Sequence, residues 1–361
     1  MQGYRRRLGP YQVLRCFFRW RIWVGMLVES VVLAANDYGA VEVCLCAACA
    51  GFMLLSWGFI MFHDASHFAV TGPAFDSILS NIWNACAFWD HIEWRVHHVI
   101  FHHSFTGYPA LDPDMHHGSP VMRTHEALPK YGAGSAYMLL GPPFWQFFGM
   151  LLVPGMYFGQ IIQYNWMKAL PQSSRQLWTL DMSKIEFDNT WSFVSLWVVL
   201  WFSALAIKGS LFVAVAAVSA YFLAANVTYS INIFADHDAH ITDEASTAHA
   251  KHCDLKKKKP DWGETQVVGS ANWGGPMWSF VFGGINMQIE HHLFPRISHK
   301  HFHTIAPIVR ATCQEFNVEY NHFPTWWAAV SSVWKQVCSV HSACARADAD
   351  AAVKDAARVS K

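Results

Sequence analysis

The apolar run 41–62 ends directly on His63-Asp64-Ala65-Ser66-His67. A run of that length is about what crosses a hydrocarbon core of ~30 Å. Inside lipid its backbone polar groups must pair within the segment, so it has to be a helix. That helix delivers two histidines, four residues apart and therefore on one face, to the point where the apolar stretch stops. Two further clusters repeat the theme: His97-His98-Val99-Ile100-Phe101-His102-His103, and Gln288-Ile289-Glu290-His291-His292 behind Gly283-Gly284-Ile285-Asn286.

Three more apolar runs set the expected topology. Run 17–35, interrupted by Glu29, joins run 41–62 through the turn-like Asn36-Asp37-Tyr38-Gly39. Runs 190–207 and 211–234 flank Lys208-Gly209-Ser210, and the last ends at Asp236-His237. Each pair reads as a helical hairpin that returns to the side where it began. All three clusters and His237 then emerge on one face, whereas a fifth span would separate them across the bilayer. Arg5, Arg6, Arg7, Arg15, Arg19 and Arg21 precede the first run with no small-residue cleavage pattern after it, which keeps the N-terminus cytoplasmic. The expected fold is an all-α integral membrane protein: four transmembrane helices as two hairpins, with a cytoplasmic helical cap holding a histidine-rich di-metal site. A basic tail (1–16) precedes that domain (17–340), and an Ala/Asp-rich flexible tail (341–361) follows it.

The remaining segments fit around this frame. Only 14% of residues are charged, against about 25% in soluble chains. Net charge is zero, which removes the field that nucleic-acid binding needs. Segment 75–88 is too short to span and is expected to lie in the interface or re-enter. Segment 136–168, broken by Pro142, Pro143, Gly149, Pro154 and Gly155, is expected to form interfacial or half-buried helices, with a full span as the alternative. Residues 169–189 form a polar connector, and 304–340 a helical region with Trp326, Trp327 and Trp334 packing or interfacial. The run Lys256–Lys259 is a solvated loop. Cys46 and Cys49 form a C-x-x-C on an apolar segment with no partner pair, and read as core residues.

Imidazoles suit iron, zinc and copper, and a histidine-rich, carboxylate-poor set excludes magnesium and calcium. His63, His67, His98, His102, His103, His291 and His292, with His237 at the end of the last run, supply eight imidazoles, a number that fits two metals better than one. His97 adjoins the second cluster but points off its ligand face, and His240 is second choice to His237. His91, His116, His117, His125, His249, His252, His299, His301, His303 and His322 read as isolated interfacial or hydrogen-bonded residues. Trp83, Phe88, Trp89, Trp94, Phe144 and Trp145 are available to line an apolar tunnel, with core packing the commoner role for each.

The succession H-D-x-x-H, H-x-x-x-H-H and Q-x-x-H-H resembles the membrane-bound fatty-acid desaturases. The third box Gln288–His292, its Gly283-Gly284-x-Asn286 lead-in and Asp112-Pro113-Asp114 are similar to the front-end subgroup, in which glutamine replaces the histidine that opens the third box. The resemblance covers about residues 45–310. It implies two irons held by His63, His67, His98, His102, His103, His237, His291 and His292, with Gln288 as a weak or water-mediated ligand. Asp64 and Glu290 are implied as carboxylates that orient the imidazoles. It also implies O2 as co-substrate, a fatty acyl substrate on lipid, coenzyme A or a sphingolipid base, and an active site facing the cytoplasm from the endoplasmic reticulum or a plastid membrane. Gly107 stands where the subgroup has asparagine. No His-Pro-Gly-Gly haem motif occurs, so electrons come from a separate cytochrome b5 or ferredoxin unless the chain is part of a longer product. Two other readings are a lipid hydroxylase on the same scaffold and a non-redox zinc-binding membrane protein. The second predicts acidic or histidine residues deep inside the spans, where Glu29 intrudes and Glu42 stands only at the start of its run.

Overall fold

Long apolar stretches with few breakers become helices, and in the computed structural model they pack against one another to make the body of the protein. The structure describes residues 10–86, 89–107, 112–116, 196–256 and 261–359, with residues 143, 144, 147, 169–174, 176, 177 and 180–186 between them. Helix α1 (Pro10–Ala35) turns at Asn36–Gly39 into α2 (Ala40–Ser66), which widens into a π-helical turn at Leu54–Gly58. Helix α3 (Pro73–Cys86) follows. Helix α4 runs through three registers, α over His91–Trp94, π over Arg95–His102 and α again over His103–Phe105. Helices α5 (Leu196–Lys208) and α6 (Leu211–His237) form the second hairpin.

The two hairpins make a four-helix bundle in which α6 lies along α2, α1 packs on α2 and α5, and α5 packs on α6. The α2–α6 seam is built of small residues. Ala47, Ala50, Ala214, Ala217 and Ala225 are fully buried. At Gly51 the backbones approach so closely that a Cβ would lie 2.0 Å from the Tyr221 carbonyl oxygen. Small residues that admit this approach are the usual device of helix packing in lipid. The other side of the bundle is tied by aromatics: Trp201 donates its indole N–H to Ser30 (2.9 Å), and Trp23 packs edge-on against Trp197 at 5.3 Å.

The cap is carried by the shorter helices α7 (His240–Lys256), α8 (Trp262–Val268), α9 (Pro276–Phe282), α10 (Gln288–Leu293) and α11 (Phe302–Glu315), and by the long α12 (Trp326–Val359). Two short pairings interrupt the expected all-helical pattern. Strands β1 (Gln176–Leu177) and β2 (Leu180–Asp181) pair antiparallel in the polar connector. Strands β3 (Asn272–Trp273) and β4 (His322–Phe323) pair parallel, which ties the entry to α10 to the C-terminal part of the chain. Two-residue strands leave no period in a sequence, so no pattern announces them. The chain is mostly helical.

Among the described residues two helices are long and apolar enough to cross a membrane, Ala40–Ser66 and Leu211–Cys253. Helix α5 is apolar but 13 residues long as described, because the first part of the expected run 190–207 lies outside the described residues. Helix α1 carries Arg15, Arg19, Arg21 and Glu29. Residues 75–86 of segment 75–88 prove to be helical and packed on the end of α2. Most of segment 136–168, and Lys257–Lys259, lie outside the described residues. The expected tail 341–361 is helical as far as Val359, as the last turns of α12.

The α2–α6 seam generates a stability test. Overpacking a tight core costs about 1–3 kcal/mol, and here a backbone carbonyl must move. Gly51→Ala is expected to lower the midpoint of thermal denaturation in detergent by several degrees. Gly25→Ala, where an added Cβ meets nothing within 4 Å, is expected to leave the midpoint unchanged or raise it.

Candidate metal centre

All three histidine clusters and His237 meet at one end of the bundle. The π register of α4 explains how the second cluster joins. A π turn is wider than the 3.6-residue α turn, so residues four and five positions apart flank one line. His98, His102 and His103 therefore all face inward, and His98 and His103 come within 3.3 Å through their Nε2 atoms. An α-helix over the same residues, as the sequence reading assumed, aligns His98 with His102 only.

The imidazoles fall into two groups. The nitrogens of His63, His67, His98 and His291 lie within 4.8 Å of one another, and so do those of His102, His237 and His292. His103 stands between: its Nε2 is 3.0 Å from that of His291, and its ring stacks on His292 at 4.3 Å. Gln288 belongs with the second group, with its carboxamide 2.9 Å from His237 Nε2 and 3.4 Å from His292 Nε2. All of these side chains except that of His237 are nearly inaccessible to water.

Such crowding opposes charge on five of the imidazoles. Burial pushes His67, His98, His103, His291 and His292 well below the usual histidine range, and neighbouring imidazoles push them further. His102 is the exception. Burial lowers it too, but the carboxylates of Asp114 and Asp112, with Asp238 beyond them, override burial and hold it up at about 9. Asp112 accepts from the Nδ1 of His102 at 3.0 Å, which leaves Nε2 pointing at His292, 3.3 Å away.

The donor set fits a transition metal. His67 Nε2 and the Gln288 carbonyl oxygen are buried with no hydrogen-bond partner among the described residues, a cost of about 1–3 kcal/mol each unless something else binds there. Eight imidazoles and one carboxamide, without sulfur, suit iron, zinc or copper.

Several surrounding residues do other work than the sequence suggested. Glu290 turns away from the imidazoles. It accepts from the Tyr320 hydroxyl and from Asn272 Nδ2, both at 2.7 Å, while Asn272 Oδ1 accepts from the backbone of Ile289 at 2.9 Å. Helical geometry forces this, since neighbours on α10 point in different directions. Asp64 lies 3.5 Å from His63 Nδ1, but its closer partner is His299 at 2.6 Å, a residue read as isolated. His240, the alternative to His237, is held by Gln336 and Glu244. His97 packs against Asp114.

Sequence reasoning missed Gln266 and Thr106, which meet His292 Nδ1 at 2.8 and 3.2 Å. Only Thr106, just past the second cluster, carried a positional hint. Of the tunnel candidates, Trp83, Trp89 and Trp94 are packed side chains: Trp89 stacks on Trp94 at 5.0 Å, and Trp94 on His98 at 4.6 Å. Phe144 is half-exposed, and Phe88 and Trp145 lie outside the described residues.

Comparison with known proteins gives the family. An acyl-lipid (8-3)-desaturase of Physcomitrium patens is 27% identical over 90% of this chain and 65% of its own length. A chloroplastic acyl-lipid (7-3)-desaturase of Chlamydomonas reinhardtii is 26% identical over 74% of this chain and 50% of its own. The sn-1 linoleoyl-lipid 6-desaturase of Synechocystis is 40% identical over a shorter stretch, 21% of each chain. The chain thus spans half to two-thirds of the length of the first two relatives. The family model described as fatty acid desaturase matches residues 40–324, a stretch that takes in α2, α6, most of the cap and every histidine of the two groups. The chain belongs to the fatty acid desaturase family.

Proposed function

We propose that this chain is an acyl-lipid desaturase of the front-end type, which inserts a cis double bond on the carboxyl side of an existing one. The observation that carries the reading is the double histidine group itself, two sets of converging imidazoles joined by His103. An unactivated methylene has no acidic proton and no leaving group, so side-chain acid–base chemistry cannot attack it. Two irons, one per group, supply the power to activate O2 that no side chain has. The reaction balances as two hydrogens from adjacent carbons, one O2, two electrons and two protons, giving the alkene and two waters. The electrons come from a cytochrome b5-type or ferredoxin-type carrier.

The protein's own part is to hold and to exclude. His63, His67, His98 and His291 serve one metal, His102, His237 and His292 the other, and His103 lies within reach of both. Gln288 ligates the second metal weakly or through water. Asp64 orients His63. The aromatic stack of Trp89 and Trp94, with Phe62 edge-on to both, closes the bundle side of the centre against water. The family is membrane-bound. The exposed Val28, Val32, Leu45, Leu200, Ile207, Phe212 and Val215 on the outer faces of α1, α2, α5 and α6 support four spans in a lipid phase, with the centre on the cytoplasmic side of an endoplasmic-reticulum or plastid membrane. An acyl group on a membrane lipid is the substrate this placement favours, and the names of the relatives carry the same chemistry.

Expression in a host that lacks polyunsaturated lipids, with candidate acids supplied and new double bonds mapped, is expected to yield a new double bond nearer the carboxyl end. A hydroxy acid as main product would favour the hydroxylase reading. His63→Ala, His103→Ala and His292→Ala are each expected to abolish product from purified protein, and activity surviving in any two of them would sink the two-iron assignment. Stripping metal with a chelator is expected to stop turnover, with recovery on adding ferrous iron and none on adding zinc. Zinc alone in the protein as purified from iron-replete cells would favour the non-redox reading.

A further inference from the structure

The two histidine groups are not backed alike. In the second group every rear nitrogen meets an acceptor. His237 Nδ1 is 2.9 Å from the Gly269 carbonyl, His292 Nδ1 is 2.8 Å from Gln266 Oε1, and His102 Nδ1 is 3.0 Å from Asp112 and 3.3 Å from Asp114. In the first group His98 Nδ1, and likewise Nδ1 of the intermediate His103, has no hydrogen-bond partner among the described residues. Of the carboxylates near this group, Asp64 lies 3.5 Å from His63 and closer to His299, and Asp114 comes within 4.8 Å of His98 but is hydrogen-bonded to His97.

Asp112 and Asp114 are themselves fixed. Both are buried. Asp112 Oδ2 accepts from the Gly107 amide at 2.8 Å, and Oδ1 accepts from the Asp114 amide at 2.9 Å as well as from His102. Asp114 is pinned on its other side by His97. The pair is a rigid anionic clamp closed on one imidazole of one group.

We infer that Asp112 and Asp114 are positioning residues for one half of the centre: they set the affinity of the metal held by His102, His237 and His292, and not that of the metal held by His63, His67, His98 and His291. This rests on the two-metal reading above. The physical reason is tautomer control. A carboxylate that accepts a hydrogen bond from Nδ1–H keeps the proton on that nitrogen, leaves the Nε2 lone pair free for a metal and makes it a better donor, and removing such a partner typically costs 10–100-fold in metal affinity. Asparagine at position 112 cannot replace the clamp. It has one acceptor oxygen where Gly107 on one side and His102 with Asp114 on the other need two, so one donor always faces an N–H.

The test is anaerobic titration of the full chain with ferrous iron, read by elemental analysis and by Mössbauer spectroscopy with 57Fe. The wild type is expected to bind two irons. Asp112→Asn/Asp114→Asn is expected to keep one tight iron with an unchanged signal, while the other weakens by about 10–100-fold. Asp64→Asn is expected to leave the affinity of that second iron as in the wild type. Asp114→Asn alone, which leaves the Gly107 contact to Asp112 in place, carries the same expectation in direction if the double variant does not fold. Equal weakening of both irons, or no weakening of either, in a folded variant overturns the inference. A wild type that binds one iron or none overturns it together with the reading on which it rests.

Discussion

Eight imidazoles packed together, all but His237 nearly out of reach of water, are a costly thing to build. Burial and neighbouring imidazoles oppose charge on His98, His103, His291 and His292, and imidazoles facing one another through Nε2 atoms at 3.0–3.3 Å cannot all act as both donor and acceptor. A bound cation would satisfy them, and the surrounding architecture keeps them converged. The small-residue seam of α2 and α6 brings the ends of those helices together. That seam sets His63 and His67, from one helix, facing the group that holds His237, from the other.

The π register of α4 is the local device that makes the number of ligands possible. In an α-helix, positions five apart such as His98 and His103 are turned from each other by about 140°. The wider turn lets His98, His102 and His103 all reach inward. His97 is turned toward Asp114 instead. A helix that keeps this less favourable register does so where something other than backbone geometry holds it, and the packed aromatics below it, Trp89 and Trp94, supply part of that hold.

The parts legible in the sequence were those written in local chemistry. The four apolar runs, the two short turns between them and the three clusters each declare themselves within about twenty residues. The convergence of His63, His98, His237 and His291 followed from hairpin parity alone, because parity fixes sides without fixing distances. What stayed hidden depends on contacts that cross the chain. His299 was indistinguishable from any surface histidine until the fold placed it against Asp64, 235 positions away. Gln266 had no motif around it. Glu290 was misjudged because a carboxylate beside a ligand histidine looks like its partner, whereas on a helix adjacent residues point apart. The two-residue pairing of β3 with β4 is set by its neighbours and leaves no periodic trace.

Helix α10 shows why that misjudged glutamate matters. His291 reaches the first group and His292 the second, so a six-residue helix carries a ligand to each half, and any tilt of it moves both. A helix that short has no stability of its own, and its position must come from elsewhere. Glu290 supplies one anchor through Tyr320 and Asn272. Burial and the acceptance of those two hydrogen bonds oppose each other in setting its charge, with burial dominant. Asn286 supplies another by donating to the Trp273 carbonyl at 2.7 Å. Gly284, in a left-handed turn at φ 85°, lets the chain pass His299, where a Cβ would sit 2.7 Å from that residue's own. The motif therefore alternates its duties along the helix, with His291 and His292 facing the centre and Glu290 between Gln288 and His291 holding the helix in place from behind. Moving Glu290 would disturb the spacing of the two halves without touching either, which makes the distance between the groups a property of the cap as much as of the ligands.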